Sequence, residues 1–375
     1  MWKIATFAAI LILVAVALTF YKNSSEKGES YQQTVTQPSK APSEKETIES
    51  PSIEVVAKNL EVPWALAFLP FDSAQGRPDK TILFTERAGK VKIIKQGQPP
   101  VILLTISVVK QQGESGLHGI AIHPQYPQKP YIYLYYTYSA GDENSLNRVS
   151  RFTFNGESLR DEEVIVDKIP GAIFHDGGRI KFGPDGYLYI TTGDALNPSL
   201  SQDKNSLAGK ILRVTDPSTS SGQVEIYSYG HRNPQGIAWD DQGRLWETEH
   251  GSSATDEVNL IQPGKNYGWP VIRGDQKQQG MESPILHSGS DTWAPAGMAY
   301  FNGSLYLGGL RGQALFEYNI ETKTLKEHFK NQFGRIRDVV LGPDNKLYIT
   351  TSNRDGRGSP SPDDDKIIRI NPEKL

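Results

Sequence analysis

"RIKFGPDGYLYITTGD", residues 179–194, decides the fold. Two apolar runs flank a Gly-Pro-Asp-Gly turn, and the second is rich in Tyr, Leu and Ile, the pattern of a tight antiparallel hairpin. The unit recurs as "WALAFLPFDSAQGRPDKTILFTER" (64–87), "GIAIHPQYPQKPYIYLYYTY" (119–138), "GIAWDDQGRLWETEHG" (236–251), "GMAYFNGSLYLGGLRG" (297–312) and "DVVLGPDNKLYITTSN" (338–353). The turns fall near Pro70, Pro124, Pro184, Asp241, Asn302 and Pro343. Spacings of roughly 40 to 60 residues suit one four-stranded propeller blade per copy. Such a sheet cannot bury both faces alone, so the copies must pack side by side and close into a ring.

The expected fold is therefore all-β: a six-bladed β-propeller of four-stranded antiparallel blades over residues 53–375. "IEVVAKNL" (53–60) and "DDKIIRI" (364–370) both look like strands and are expected to share the last blade, closing the ring. "FDSAQGRPDK" (71–80) and "DPSTSSGQV" (216–224) are small, polar and turn-forming, and read as surface insertions. Composition agrees, with 35 glycines, 24 prolines and 17 tyrosines in a chain suited to many short strands and turns.

The N-terminus stands apart. "MWKIATFAAILILVAVALTFYK" holds an uncharged apolar run from Ile4 to Phe20, and residues 1–21 read as an uncleaved signal-anchor in preference to a removed signal peptide. Residues 22–52 are polar, Pro/Ser-rich and aperiodic, as in a disordered linker. The ring is thus expected outside the cytoplasm, in the periplasm or at the cell surface, tethered by its N-terminus. A net charge of −3, from 40 basic and 43 acidic side chains, argues against general nucleic-acid binding. With no cysteine, disulfides, thiolate metal sites and a cysteine nucleophile are excluded.

Several polar residues exceed what a propeller needs. "QQGESGLHG" places Glu114 just before the second repeat's first strand, and "FHDGGRIKF" places His175 before the third. "SYGHRNPQGIAW" puts Arg232, Asn233 and Gln235 before the fourth, and "RIRDVVL" puts Arg335 and Arg337 before the sixth. Equivalent positions in a ring lie at one end of it, so these side chains should share one funnel. Arg232, Arg335, Arg337 and Arg311 of "GGLRGQ" would repel one another there unless an anion sits among them. Guanidinium forks match carboxylates, so a polycarboxylate ligand is implied; pairing of each arginine with a nearby acid such as Asp338 or Asp240 is the alternative. His175 is the one residue of the set suited to taking a proton near neutral pH. In "TEHGSSATDEVNLIQPGKNYGWP" (248–270), Glu249, Asp256, Glu257 and the carbonyls of Gly251 and Ser252 offer the oxygen ligands Ca2+ prefers, although the spacing is not that of an EF-hand. A solvated acidic loop would look the same.

"GHRNPQGIAW", "TEHG…DEVNLIQPGKNYGWP", "HDGGRIKFGPDGYLYITTGD…SLAGKILRV" and "RIRDVVLGPDNKLYITT" together resemble the soluble quinoprotein sugar dehydrogenases, the glucose/sorbosone dehydrogenase family that uses pyrroloquinoline quinone (PQQ). The resemblance runs from about Ile53 to the end of the chain and implies a six-bladed propeller. It implies that His175 is the base for an aldose's anomeric hydroxyl, with Asp194 beside it, and that Arg232 and Asn233 hold the quinone. By the same resemblance Arg335, Arg337 and Arg311 clamp the quinone's carboxylates, the carbonyls of Gly251 and Ser252 hold Ca2+, and Glu257 and Tyr267 fall at a further Ca2+. Glu114 stands where the family usually has glutamine beside cofactor and sugar, Arg311 where it usually has lysine, and Ser252 where proline is frequent. Trp293, in "SDTWAPAG", is the candidate sugar platform, with Asp194 and Glu114 also facing the substrate. The implied partners are a sugar and an external electron acceptor, and a homodimer is left open. Two other classes fit the ring: a non-catalytic extracellular propeller that binds carbohydrate or protein, and a Ca2+-dependent lactonase-like hydrolase. The arginine set separates them, since neither alternative has an evident use for it.

Overall fold

A computed structural model describes residues 52–70, 80–141, 145–215, 217 and 223–375. The apolar segment 1–21, the linker 22–52 except Ser52, and most of both expected insertions lie outside these residues. Among the described residues no helix is long and apolar enough to cross a membrane.

The strands form six four-stranded antiparallel sheets. After β1 (Ile53–Ala57), the first blade is β2 (Pro63–Phe68), β3 (Ile82–Glu86), β4 (Lys90–Ile94) and β5 (Val101–Thr105). The second is β6 (Leu117–Ile122), β7 (Tyr131–Ser139), β8 (Ser145–Phe154) and β9 (Leu159–Gly171). The third is β10 (Ile180–Phe182), β11 (Leu188–Thr192), β12 (Lys210–Val214) and β13 (Val224–Tyr229). Next come β14 (Pro234–Trp239), β15 (Leu245–Glu249), β16 (Glu257–Ile261) and β17 (Leu286–His287). The fifth blade is β18 (Pro295–Phe301), β19 (Ser304–Gly309), β20 (Leu315–Asn319) and β21 (Thr324–His328). The last blade orders β1 beside β24 (Ile367–Ile370), then β23 (Leu347–Thr351) and β22 (Ile336–Leu341). Ile53 pairs with Ile370 and Val55 with Ile368, so the two segments expected to close the ring do share a blade.

The turn chemistry that marked the repeats is repeated in space. In the third blade Gly183 N donates to Tyr187 O (2.9 Å), Asp185 accepts from Tyr189 Oη (2.9 Å), and Gly186 takes φ +79°. In the sixth, Gly342 N donates to Lys346 O (2.8 Å), Asp344 accepts from Tyr348 Oη (3.1 Å), and Asn345 takes φ +55°. Glycine and asparagine serve the same left-handed position because both tolerate positive φ.

The core lies between blades. Side chains such as Tyr133, Tyr135, Ile190 and Leu212 pack blade two against blade three, and each large apolar side chain so buried contributes roughly 1.5 to 3 kcal/mol. Around the axis, the glycine of the repeated "GIA/GMA" sits where inner strands crowd. A Cβ on Gly236 would meet Ala296 O at 2.3 Å, and one on Gly297 would meet Asp338 Oδ1 at 2.0 Å. Asp338 ties the axis together: it pairs with Arg179 (3.1 Å) and accepts from Leu66 N (2.9 Å).

Candidate functional site

The loops before β6, β10, β14 and β22 and the ends of β11 and β15 converge at one end of the ring, as their common place in the repeat predicts. Asp194 follows β11 and is fully buried. Its Oδ1 accepts from His175 Nδ1 (2.8 Å) and Leu196 N (2.9 Å), and its Oδ2 accepts from Trp269 Nε1 (2.9 Å). His175 is held at φ +64°, a conformation unfavourable for a residue with a Cβ. The surroundings impose it: Ala195 N donates to His175 O (3.2 Å), and a Cβ on Gly193 would lie 1.8 Å from that oxygen. Only glycine fits there.

With Nδ1–H directed to the carboxylate, the network assigns the lone pair to His175 Nε2, which receives Arg232 Nη2 at 3.0 Å. Arg232 is itself fixed by its backbone N on Glu249 Oε2 (2.6 Å), by Nη1 on His250 O (3.2 Å), and by the Trp269 ring 5.3 Å beneath its guanidinium. Its Nε is buried with no partner. Burial lowers its pKa, with Asp194 and Glu249 opposing.

Asn233 Oδ1 accepts from Gly177 N (3.1 Å), leaving Nδ2 buried and unpartnered. Arg337 Nη1 donates to Gln235 Oε1 (2.7 Å), and its Nε is again unpartnered. Burial pulls Arg337 down to about 9, Asp355 opposing and Arg335 adding to the fall. Arg335 behaves otherwise: Nε and Nη2 both donate to Asp355 Oδ2 (2.9 and 2.8 Å), and Nη1 donates to Leu310 O (3.1 Å). The acids named beforehand are engaged elsewhere, Asp338 with Arg179 and Asp240 with Arg244 (2.6 Å). Pairing with an acid thus accounts for Arg335, through Asp355, and leaves donors of Arg232 and Arg337 unmet. Arg311 is exposed, its backbone N on Trp293 O (3.1 Å), one residue beyond the carbonyl that Arg335 contacts.

Glu114 reaches the same place. Its Oε2 lies 3.4 Å from His175 N, and its Oε1 accepts from Arg357 Nη1 (2.5 Å), a residue of the β23–β24 loop whose guanidinium stands over Phe174. Burial works against its ionisation, but His250, Arg357 and Arg337 outweigh it and hold Glu114 at about 2.

Gly251, Ser252, Glu257 and Tyr267 line one pocket with Arg232, Glu249 and Trp269. Glu257 lies across the β15–β16 ladder from Glu249, and its Oε1 accepts from Gly274 N (2.9 Å). Burial and the Glu249 charge push its pKa up. The Tyr267 hydroxyl donates to Leu260 O (2.7 Å) and accepts from Gln262 N (2.8 Å), and its backbone N donates to Tyr229 O (2.8 Å), so of its polar groups the carbonyl is the one suited to a cation.

Trp293 is the correction. It is buried against Phe316 in the core of the fifth blade, and its N donates to Asp256 Oδ2 (2.6 Å), so its ring offers no platform. The half-buried indole at the base belongs to Trp269, next to "NYG" in a motif already quoted. Sequence reasoning also missed Arg87, Asp355 and Arg357. Arg87 ends the first quoted repeat, just after β3, and Asp355 and Arg357 lie in the β23–β24 loop; only ring closure brings Arg87 within reach of the Asp355 and Glu114 charges.

Both groups that the resemblance implies fit these residues. Unpartnered donors on Arg232, Asn233, Arg337 and Arg87 suit a polyanion carrying carbonyl oxygens. The carboxyls of Glu249 and Glu257 in the pocket of Gly251 and Ser252 suit a hard divalent cation, with Arg232 and Arg273 also on its wall, Arg273 turned to Ser252 Oγ (2.6 Å).

Fold and funnel define a class: a six-bladed propeller holding an oriented histidine beside guanidiniums with unmet donors. The comparisons narrow it. The family model described as "Glucose / Sorbosone dehydrogenase" matches residues 60–368, and the chain belongs to that family. It is 30% identical to the aldose sugar dehydrogenase of Escherichia coli, over 81% of this chain and 91% of that one. A PQQ-bound aldose sugar dehydrogenase of Streptomyces coelicolor is 37% identical, with a TM-score of 0.75, over 85% of this chain and 97% of that one. A Thermus thermophilus oxidoreductase (glucose dehydrogenase) is 41% identical, with a TM-score of 0.77, over 84% and 98%.

Proposed function

We propose that the protein oxidises an aldose at its anomeric carbon to the lactone, using PQQ and Ca2+. The observation that carries this reading is the line Asp194–His175–Arg232, set among buried donors with no partner. The PQQ-bound Streptomyces relative supports it.

When bound, PQQ supplies the two-electron acceptor for the anomeric hydride. The rest of the chemistry falls to the chain. Arg232, Asn233, Arg337 and Arg87, whose donors are unmet, would hold the anionic cofactor, with Arg335, already bound to Asp355, beside them and Arg311 at the rim. The carbonyls of Gly251 and Ser252 hold one Ca2+, and Glu257 with Tyr267 serve a further one. Asp194 keeps His175 in the Nδ1–H tautomer, so that Nε2 is the proton acceptor. Arg232 Nη2 lies 3.0 Å from that lone pair, so the guanidinium would have to turn to the bound anion for Nε2 to take a proton. The anomeric O–H proton then passes to Nε2, the C–H electron pair leaves as hydride, and the lactone C=O forms. Trp269 and Glu114 border the space for the sugar, and the Glu114–Arg357 pair limits which hydroxyl pattern enters.

The apolar segment 1–21 supports a location outside the cytoplasm, tethered to the membrane, where an external acceptor would reoxidise the cofactor. The test is reconstitution: PQQ and Ca2+ are added to the apo-protein, and dye reduction is followed across a panel of aldoses. Binding of PQQ with sugar-dependent reduction is expected; neither binding nor reduction with any aldose would refute the reading.

A further inference from the structure

Behind the pocket of Gly251 and Glu257 lies a second group of ligand-type side chains that the proposed chemistry does not use. Strand alternation puts Glu247 and Glu249 on the same face of β15, and the β15–β16 register sets Asn259 opposite Glu247 and Glu257 opposite Glu249. His231, from the loop before β14, closes the group: its Nδ1 is 3.2 Å from Glu249 Oε1. Ligand atoms of His231, Glu247 and Glu249 all lie within 4.8 Å of one another, and all three residues are buried.

Burial and the Glu249 charge push the pKa values of Glu247 and Glu257 up. Among the described residues no lysine or arginine side chain bonds to any of the three glutamates. Their shared side-chain donor is the Asn259 amide, with Nδ2 at 3.0, 3.3 and 3.4 Å from Glu247, Glu249 and Glu257. Two acceptors are left over: Glu247 Oε1 and Asn259 Oδ1 are buried without a partner, on side chains 0% and 1% exposed. A buried carboxyl oxygen without a partner is costly.

We propose that His231, Glu247 and Glu249 bind a structural divalent cation, and that the Asn259 amide turns over to present Oδ1 to it in place of Nδ2. Ligands of one ion at metal–ligand distances of about 2.0 to 2.6 Å lie up to roughly 5 Å apart, so the group closes on a metal without backbone movement. Three oxygens with one imidazole suit Mn2+ or Zn2+, and Mn2+ above all. His231 Nε2 faces Ser228 Oγ at 2.8 Å, an outer partner that turns Nδ1 toward the ion. The ion would cross-link the third blade, through His231, to the fourth. His231 and Glu247 do not border the pocket of Gly251, Ser252, Glu257 and Tyr267, whereas Glu249 borders it, so the new site adjoins the Ca2+ positions proposed above and has Glu249 between them.

The test uses the full chain, stripped with chelator and reloaded with Mn2+ alone, for wild type, Glu247→Gln and Glu247→Leu. Elemental analysis after desalting is expected to find one Mn2+ fewer per chain in both variants, with loss of the Mn2+-induced rise in Tm. Glu247→Leu removes the ligand while keeping the site packed, so it guards against misfolding. Anomalous scattering from Mn2+-soaked wild-type crystals should place a peak among His231, Glu247 and Glu249. Equal stoichiometry in wild type and variants, or no peak there, would overturn the proposal. None of these measurements requires PQQ, so failure of the dehydrogenase reading leaves this test intact.

Discussion

The two ends of the β10–β11 hairpin are built from similar residues and behave in opposite ways. At the turn end, Gly183, Asp185 and Gly186 meet one another's needs: Asp185 accepts from Tyr187 N and Tyr189 Oη, and the positive φ falls on a glycine. At the other end His175 bears the positive φ itself, Asp194 is spent on orienting it, and the donors of Arg232 and Asn233 beyond it stay unmet. An end that satisfies its own polar groups is scaffold; one that leaves them unmet while fixing an imidazole is prepared for something absent from the chain.

This contrast can be broken at the funnel end first. His175→Ala should lower dye-linked turnover of the reconstituted protein by roughly 10²- to 10⁴-fold, with PQQ affinity nearly unchanged in a cofactor titration. Equal loss of both would make His175 structural. Asp194→Asn should cost less, roughly 10- to 100-fold in turnover, because the imidazole stays but its tautomer is no longer enforced. Gly193→Ala, whose Cβ would strike His175 O, should destabilise the fold by about 1 to 3 kcal/mol in denaturant titration.

Asp176, next to the base, gives a pH-dependent version of the same contrast. Burial pushes its pKa up to about 7 from 3.8, with Asn147 and Ala172 N opposing. The folded state therefore keeps a proton that the unfolded chain has lost, so this residue's contribution to stability falls as pH rises from about 4 to about 7. Asp176→Asn should remove that slope from a series of Tm measurements. The smallest effect belongs to the turn end: Gly186→Asn should change stability by only a few tenths of a kcal/mol, since Asn345 holds the matching position in the last blade.

The repeat was legible because it is local. A hairpin's alternation and turn residues lie within about twenty consecutive positions, and "GPDGYLYITT" declares both. The convergence of Glu114, His175, Arg232 and Arg337 was legible at one remove, since equal phase in a repeat means the same end of a ring. Trp293 and Trp269 show where that ran out. Trp293 stands two residues before β18 as Arg232 does before β14, so phase gives its end of the ring but not which way its indole turns. Trp269 lies in a loop outside the hairpins, where phase gives nothing. Asp355 and Arg357 were hidden for the same reason.

By itself the sequence determined the six blades, the pairing of its first and last strands, and the end of the ring where polar residues gather. These follow from short-range periodicity and from the need of each sheet for neighbours. Only the tertiary structure decided that Asp194 orients His175, that Asp355 takes up Arg335, that Trp269 and not Trp293 stands at the base, and that Glu247 is left with an unmet oxygen. Those outcomes depend on distances between residues tens to hundreds of positions apart, which ring closure sets and local pattern does not encode.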